Sequence, residues 1–115
     1  MTGVQTLLPI MLNFVNQKKL GLNDLVRLIC TNPAKIYGAL NKGEIKVGND
    51  ADLSIVDLNK EKIIKNEWIA SKSRWTPYDG IKVKGWPVLT VINGNIVMRE
   101  DQILEESKGE PVIFS

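Results

Sequence analysis

Thr31-Asn32-Pro33-Ala34-Lys35-Ile36-Tyr37-Gly38, followed by Lys42-Gly43-Glu44-Ile45-Lys46-Val47-Gly48-Asn49-Asp50-Ala51-Asp52-Leu53-Ser54-Ile55-Val56-Asp57, is where the chain changes period. The first stretch carries a cap-type Asn, a Pro at the first helical position and a Gly just past the end, the asymmetry of a short helix. In the second, Gly48-Asn49 supplies a turn. Ala51, Leu53 and Ile55 then alternate with Asp52, Ser54 and a flanking Asp57, which is the period of a strand. The switch lies between Gly38 and Gly43, so the expected class is α+β, with helices before it and strands after.

Upstream, the pattern is helical twice more. Leu7, Leu8, Met11, Phe14 and Val15 fall on one helical face, and Ile10 and Leu12 carry apolar surface round the side, so cover is expected from more than one direction. Thr6 is placed to cap the first turn, where Pro9 is tolerable, and Lys18, Lys19 and Gly21 supply a basic end and a stop. A second amphipathic helix directs Leu22, Leu25, Val26 and Ile29 toward a core and Asn23, Asp24 and Arg27 outward, with Asp24 suited to the helix dipole. Downstream, Ile63-Ile64 reads as a short strand. Trp86 to Ile92 is apolar on both faces apart from Thr90, and Asn93-Gly94 then leads into Asn95-Ile96-Val97-Met98, a hairpin across a two-residue turn that favours positive φ. Between them, Glu67 to Gly80 mixes a helical turn with Pro77 and Gly80. The tail from Glu105 to Ser115 is polar until Val112-Ile113-Phe114.

A chain of 115 residues can bury roughly two thirds of its unfolded surface, but it cannot form a complete barrel of about 250 residues. It has no His and a single Cys, which excludes a His-rich zinc site, a Ser-His-Asp triad, a Cys-His pair and an intrachain disulfide. The net charge of +2 is spread along the chain, with only Lys18-Lys19 adjacent, so nucleic acid is not an expected partner. Val4 to Val15 is broken by Gln5, Thr6, Pro9 and Asn13, is too short to span a bilayer and lacks a secretory pattern, so no membrane association is expected. A lone thiol favours a reducing, cytoplasmic setting.

Four stretches together resemble the C-terminal part of a dihydroorotase of the amidohydrolase superfamily, with hydantoinases and dihydropyrimidinases close relatives. Thr2-Gly3-Val4-Gln5-Thr6-Leu7-Leu8-Pro9 is similar to the Gly-(Val/Ile/Leu)-Glu-Thr-x-Leu-Pro segment after the last metal-binding strand of the family barrel, with Gln5 in place of Glu. Leu25-Val26-Arg27-Leu28 and then Thr31 to Gly38 resemble its Leu-Val-x-Leu-x-x-Thr-Asn-Pro-Ala-(Arg/Lys)-Ile-(Phe/Tyr)-Gly helix end. Lys42 to Asp57 resembles the Lys-Gly-x-Ile-x-x-Gly-x-Asp-Ala-Asp-Leu-x-x-x-Asp signature at entry to the small β-domain. Ser71-Lys72-Ser73-Arg74-Trp75-Thr76-Pro77-Tyr78-Asp79-Gly80, with Lys84-Gly85-Trp86-Pro87-Val88 and Val91-Ile92-Asn93-Gly94, resembles the closing strands. Ser-Lys-Ser before Thr-Pro-(Phe/Tyr)-Asp-Gly leans toward dihydroorotase, whereas Gly-Trp-Pro-Val is also at home in hydantoinases.

The resemblance implies a fold in two parts: residues 1–41 as C-terminal helices of an incomplete TIM-type barrel, and residues 42–115 as the C-terminal part of a small composite β-sandwich. It also implies an absence. The family's zinc ligands are a His-x-His pair, a carboxylated Lys, two further His and a final Asp that activates metal-bound hydroxide, and all of these lie upstream of residue 1. Zinc would belong to the complete enzyme, with no cofactor bound by this chain and no catalytic or metal-ligating residue to assign. Thr2 and Gly3 alone are placed at the rim of the substrate loop. Apolar faces are expected to be left uncovered, with the N-terminal half of the enzyme or a second copy as the partner.

Three groups of residues invite a functional reading. Asp50 and Asp52 could share a cation, although turn and capping hydrogen bonds are the commoner use of such a pair. Cys30, with no His to activate it, reads as a small buried hydrophobe. Trp68, Trp75, Trp86, Tyr37 and Tyr78, with Lys72, Arg74, Lys82 and Lys84, could form a base-stacking platform, but they equally suit packing at a seam between domains.

Overall fold

The computed structural model describes residues 4–104 and 112–113. Helix α1 spans Val4–Asn16, α2 Leu22–Val26, a π-helical turn Arg27–Thr31, and α3 Asn32–Tyr37. Strands β1 (Leu53–Ile63), β2 (Lys82–Ile92), β3 (Asn95–Arg99) and β4 (Gln102–Ile103) form one antiparallel sheet in the order β1-β2-β3-β4. The α+β expectation and the hairpin are both found: Asn93 and Gly94 take φ of 49° and 78°, the two successive positive values that a tight hairpin needs.

Four local expectations need correcting. Pro9 lies inside α1 and Thr6 is buried in it, so Thr6 is not the cap; burial of both against the sheet side overrides the local cost of the proline. No break separates α2 from α3. Val26, Arg27, Thr31 and Asn32 are all right-handed helical, and Asn32 N–H reaches back five residues to the carbonyl of Arg27, so the wider turn accommodates Pro33 where the sequence suggested a fresh start.

Ile63 ends β1 instead of opening a second strand. The β1–β2 register shifts between Ile55 and Val56, where Val88 of β2 is the extra residue, and along β1 the more covered positions change from Leu53 to Val56, Leu58, Lys60 and Lys62, so the odd-numbered alternation does not run through the strand. Pro87, in the middle of β2, sits beside that shift and beyond the reach of β3, whose pairing with β2 covers Leu89 to Ile92. Its missing donor therefore interrupts no regular ladder.

The core gathers Ile64, Val83 and Trp86, with Ile10 and Trp68 packed on it. Helix α1 lies across β2. The two meet at Gly85, where φ is 107° and an added Cβ would stand 2.7 Å from Leu12 Cβ, so only glycine lets helix and strand touch there.

Candidate functional site

Asp50 and Asp52 do share a cation, and it is the Lys42 ammonium. Lys42 Nζ lies 3.0 Å from Asp50 Oδ2 and is bonded to Asp52 Oδ2, while Asp52 Oδ1 accepts from Asn93 N–H at 2.9 Å. Both carboxylates precede β1, and Asp52 fastens the entry loop to the hairpin turn through Asn93 N–H. The hydrogen bond to Asp52, then that to Asp50, raises the Lys42 pKa above 10.5, and Lys42 followed by the Asn93 N–H lowers Asp52 below 3.8. The Asp52 contribution to stability is therefore present above pH 3.8 and lost as pH falls through its lower folded value. The Lys42 contribution is complete below pH 10.5 and lost as pH rises through its higher one. Lys42→Met should cost about 1 kcal/mol or less at neutral pH, as for partly exposed ion pairs, and flatten both limbs of a plot of urea midpoint against pH. Unchanged limbs would show that the clamp contributes nothing.

The aromatic residues do not form one platform. Trp86 is buried, its ring centroid is 4.6 Å from that of Trp68, and its Nε1–H donates to Asp101 Oδ1 at 2.8 Å. Lys62 pairs with the other Asp101 oxygen and lies over the Trp86 ring. Burial pushes the Asp101 carboxyl up, but Lys62 and the Trp86 indole outweigh it and hold the group below 3.8. These side chains floor an open groove of about 610 Å³ edged by Glu61, Lys65, Glu67 and Lys82. Tyr37 stands exposed on α3. Cys30, expected to be buried, is exposed in the π-helical turn.

Much of the exposed apolar surface lies on the helices. The α1 side that meets the sheet is its less greasy side, built from Thr6, Pro9 and Leu12 together with three amides. Gln5 Nε2 donates to the Trp68 carbonyl at 2.9 Å, and its Oε1 accepts from Ala70 N–H at 2.8 Å. Asn13 Oδ1 accepts from Lys84 N–H at 3.0 Å. Asn16 Nδ2 donates to the carbonyls of Lys84 at 2.7 Å and Leu58 at 3.0 Å. Replacing Asn16 with Leu would strand those two carbonyls and should lower stability by about 1–2 kcal/mol, read as a lower urea midpoint at constant slope. An unshifted midpoint would mean that water replaces the amide freely.

With the polar side turned inward, Val4, Leu7 and Phe14 point outward. Leu22, Val26, Leu28, Ile36 and Tyr37 continue the exposed apolar surface along the next helices, with Ile36 and Tyr37 about three quarters exposed. Leu25 alone of the expected inward set of α2 is fully buried. Among the described residues strand β1, first in the sheet order, pairs with β2 alone.

A model of the amidohydrolase family matches residues 3–97. The chain belongs to the amidohydrolase family. Dihydroorotase of Pyrococcus furiosus is 41% identical over 111 residues, which is 96% of this amidohydrolase chain and 27% of that relative. An L-hydantoinase of Paenarthrobacter aurescens is 41% identical over 106 residues, 90% of this chain and 23% of the relative. Among solved structures, L-hydantoinase (dihydropyrimidinase) from Arthrobacter aurescens superposes with a TM-score of 0.82 at 40% identity, covering 86% of this chain and 22% of that one. The chain thus spans about a quarter of the length of the relatives it matches.

Zinc, which the family resemblance implies, does not fit the residues present. There is no His, Cys30 stands on an exposed helical turn, and Asp50 and Asp52 are engaged by Lys42. Among the described residues no three His, Cys, Asp or Glu side chains converge as a metal would require, and no helix is long and apolar enough to cross a membrane. Thr2 and Gly3, the expected substrate-loop rim, lie outside the described residues. Sequence reasoning missed Gln5, Asn13, Asn16 and Lys42. A signal for the first three was available, because Gln5, Pro9, Leu12, Asn13 and Asn16 recur at helical spacing and mark a second face of α1.

Proposed function

We propose that this chain supplies the C-terminal portion of a dihydroorotase-like, zinc-dependent cyclic amidohydrolase, which hydrolyses ring C–N amide bonds in pyrimidine biosynthesis, and that it is inactive by itself. Residues 1–41 are read as C-terminal helices of an incomplete TIM-type barrel and 42–115 as one side of a composite β-sandwich. The observation that carries the proposal is the uncovered apolar face of α1 through α3 in a chain whose relatives are about four times longer. The metal and the residues that work with it are assigned to the N-terminal portion, which is the proposed partner, with a second copy as the alternative. A cytoplasmic location is part of the same reading.

The test is complementation. The chain is mixed with the portion of Pyrococcus furiosus dihydroorotase that precedes its aligned segment, and dihydroorotate and hydantoin are offered separately with zinc present. Hydrolysis only when both pieces are present, with dihydroorotate preferred, is the expected result. Preference for hydantoin would move the chain to the hydantoinases, which match it at similar identity. A tight complex without hydrolysis of either substrate would favour a non-catalytic assembly module, and turnover by the isolated chain would overturn the proposal.

A further inference from the structure

We draw no further inference here: the strongest candidate, the open groove beside β1 and β2 floored by Lys62, Trp68, Trp86 and Asp101, presents side chains already paired with one another, and nothing in the structure shows what covers it.

Discussion

Gly85→Ala should lower the stability of the chain by about 3 kcal/mol, the sum of a strained backbone and an overpacked contact, and its melting temperature by roughly 10 °C. At φ 107° any side chain is strained, and the new Cβ would also meet Leu12 Cβ at 2.7 Å. The two causes separate experimentally. Gly80 has φ 86° with nothing within 4 Å of an added Cβ, so Gly80→Ala carries the strain without the collision and should cost about half as much or less. Trimming Leu12 to Ala should not rescue Gly85→Ala, because the atom in the way is the Cβ that alanine keeps. Equal losses at the two glycines in thermal melts would show that α1 moves aside freely.

Trp86→Ala is expected to cost about 3–5 kcal/mol, the range for deleting a buried aromatic ring. Trp86 is 2% exposed and packs with Ile64 and Val83. The same indole donates to Asp101, so the more informative variant is Trp86→Phe, which keeps most of the volume and loses the donor. It should cost about 1–2 kcal/mol at neutral pH. The pH dependence has a definite sign. Because the folded Asp101 pKa lies below 3.8, its contribution is present above that value and is lost as pH falls through the folded one. Removing the indole N–H raises the folded value toward the ordinary one, so the acid limb of the Phe variant should start at the same pH, end at a higher pH and be smaller in total. A limb that superposes on that of the unmodified chain would mean that Lys62 and Trp68 hold the carboxylate without Trp86.

The elements legible in the sequence were those fixed by local chemistry. Asn93-Gly94 specifies its turn wherever it is placed, and Gly38 ends α3 with φ 68° as its position suggested. What was not legible depends on tertiary partners. The five apolar residues of α1 make the stronger stripe, so periodicity alone points that side at the sheet. The structure puts Thr6, Pro9 and Leu12 there because the strand main chain at residues 58 and 84 and the loop at 68–70 supply matched donors and acceptors for three amides. The register shift between β1 and β2 was hidden for the same reason, since it sets Ile55 and Val56 against Pro87 to Leu89 some thirty residues away. Cys30 was read as a small buried hydrophobe, and it stands exposed in the π-helical turn. Of the candidate site, the Asp50–Asp52 pair was visible, but its cation was not, because nothing about Lys42 announces that it will fold back ten residues.

The attachment of α1 to its sheet has an evolutionary corollary. Asn13 and Asn16 grip peptide groups and not the side chains that decorate them. The strand side of this joint is therefore blind to residue identity: position 84 can change its exposed side chain and position 58 can be repacked while the grip on their peptide groups persists. The helix side enjoys no such freedom, since each amide must present its oxygen or nitrogen at a fixed spot. Mutational drift is thus free on one partner and confined on the other, and the two surfaces of a single contact should age at different rates.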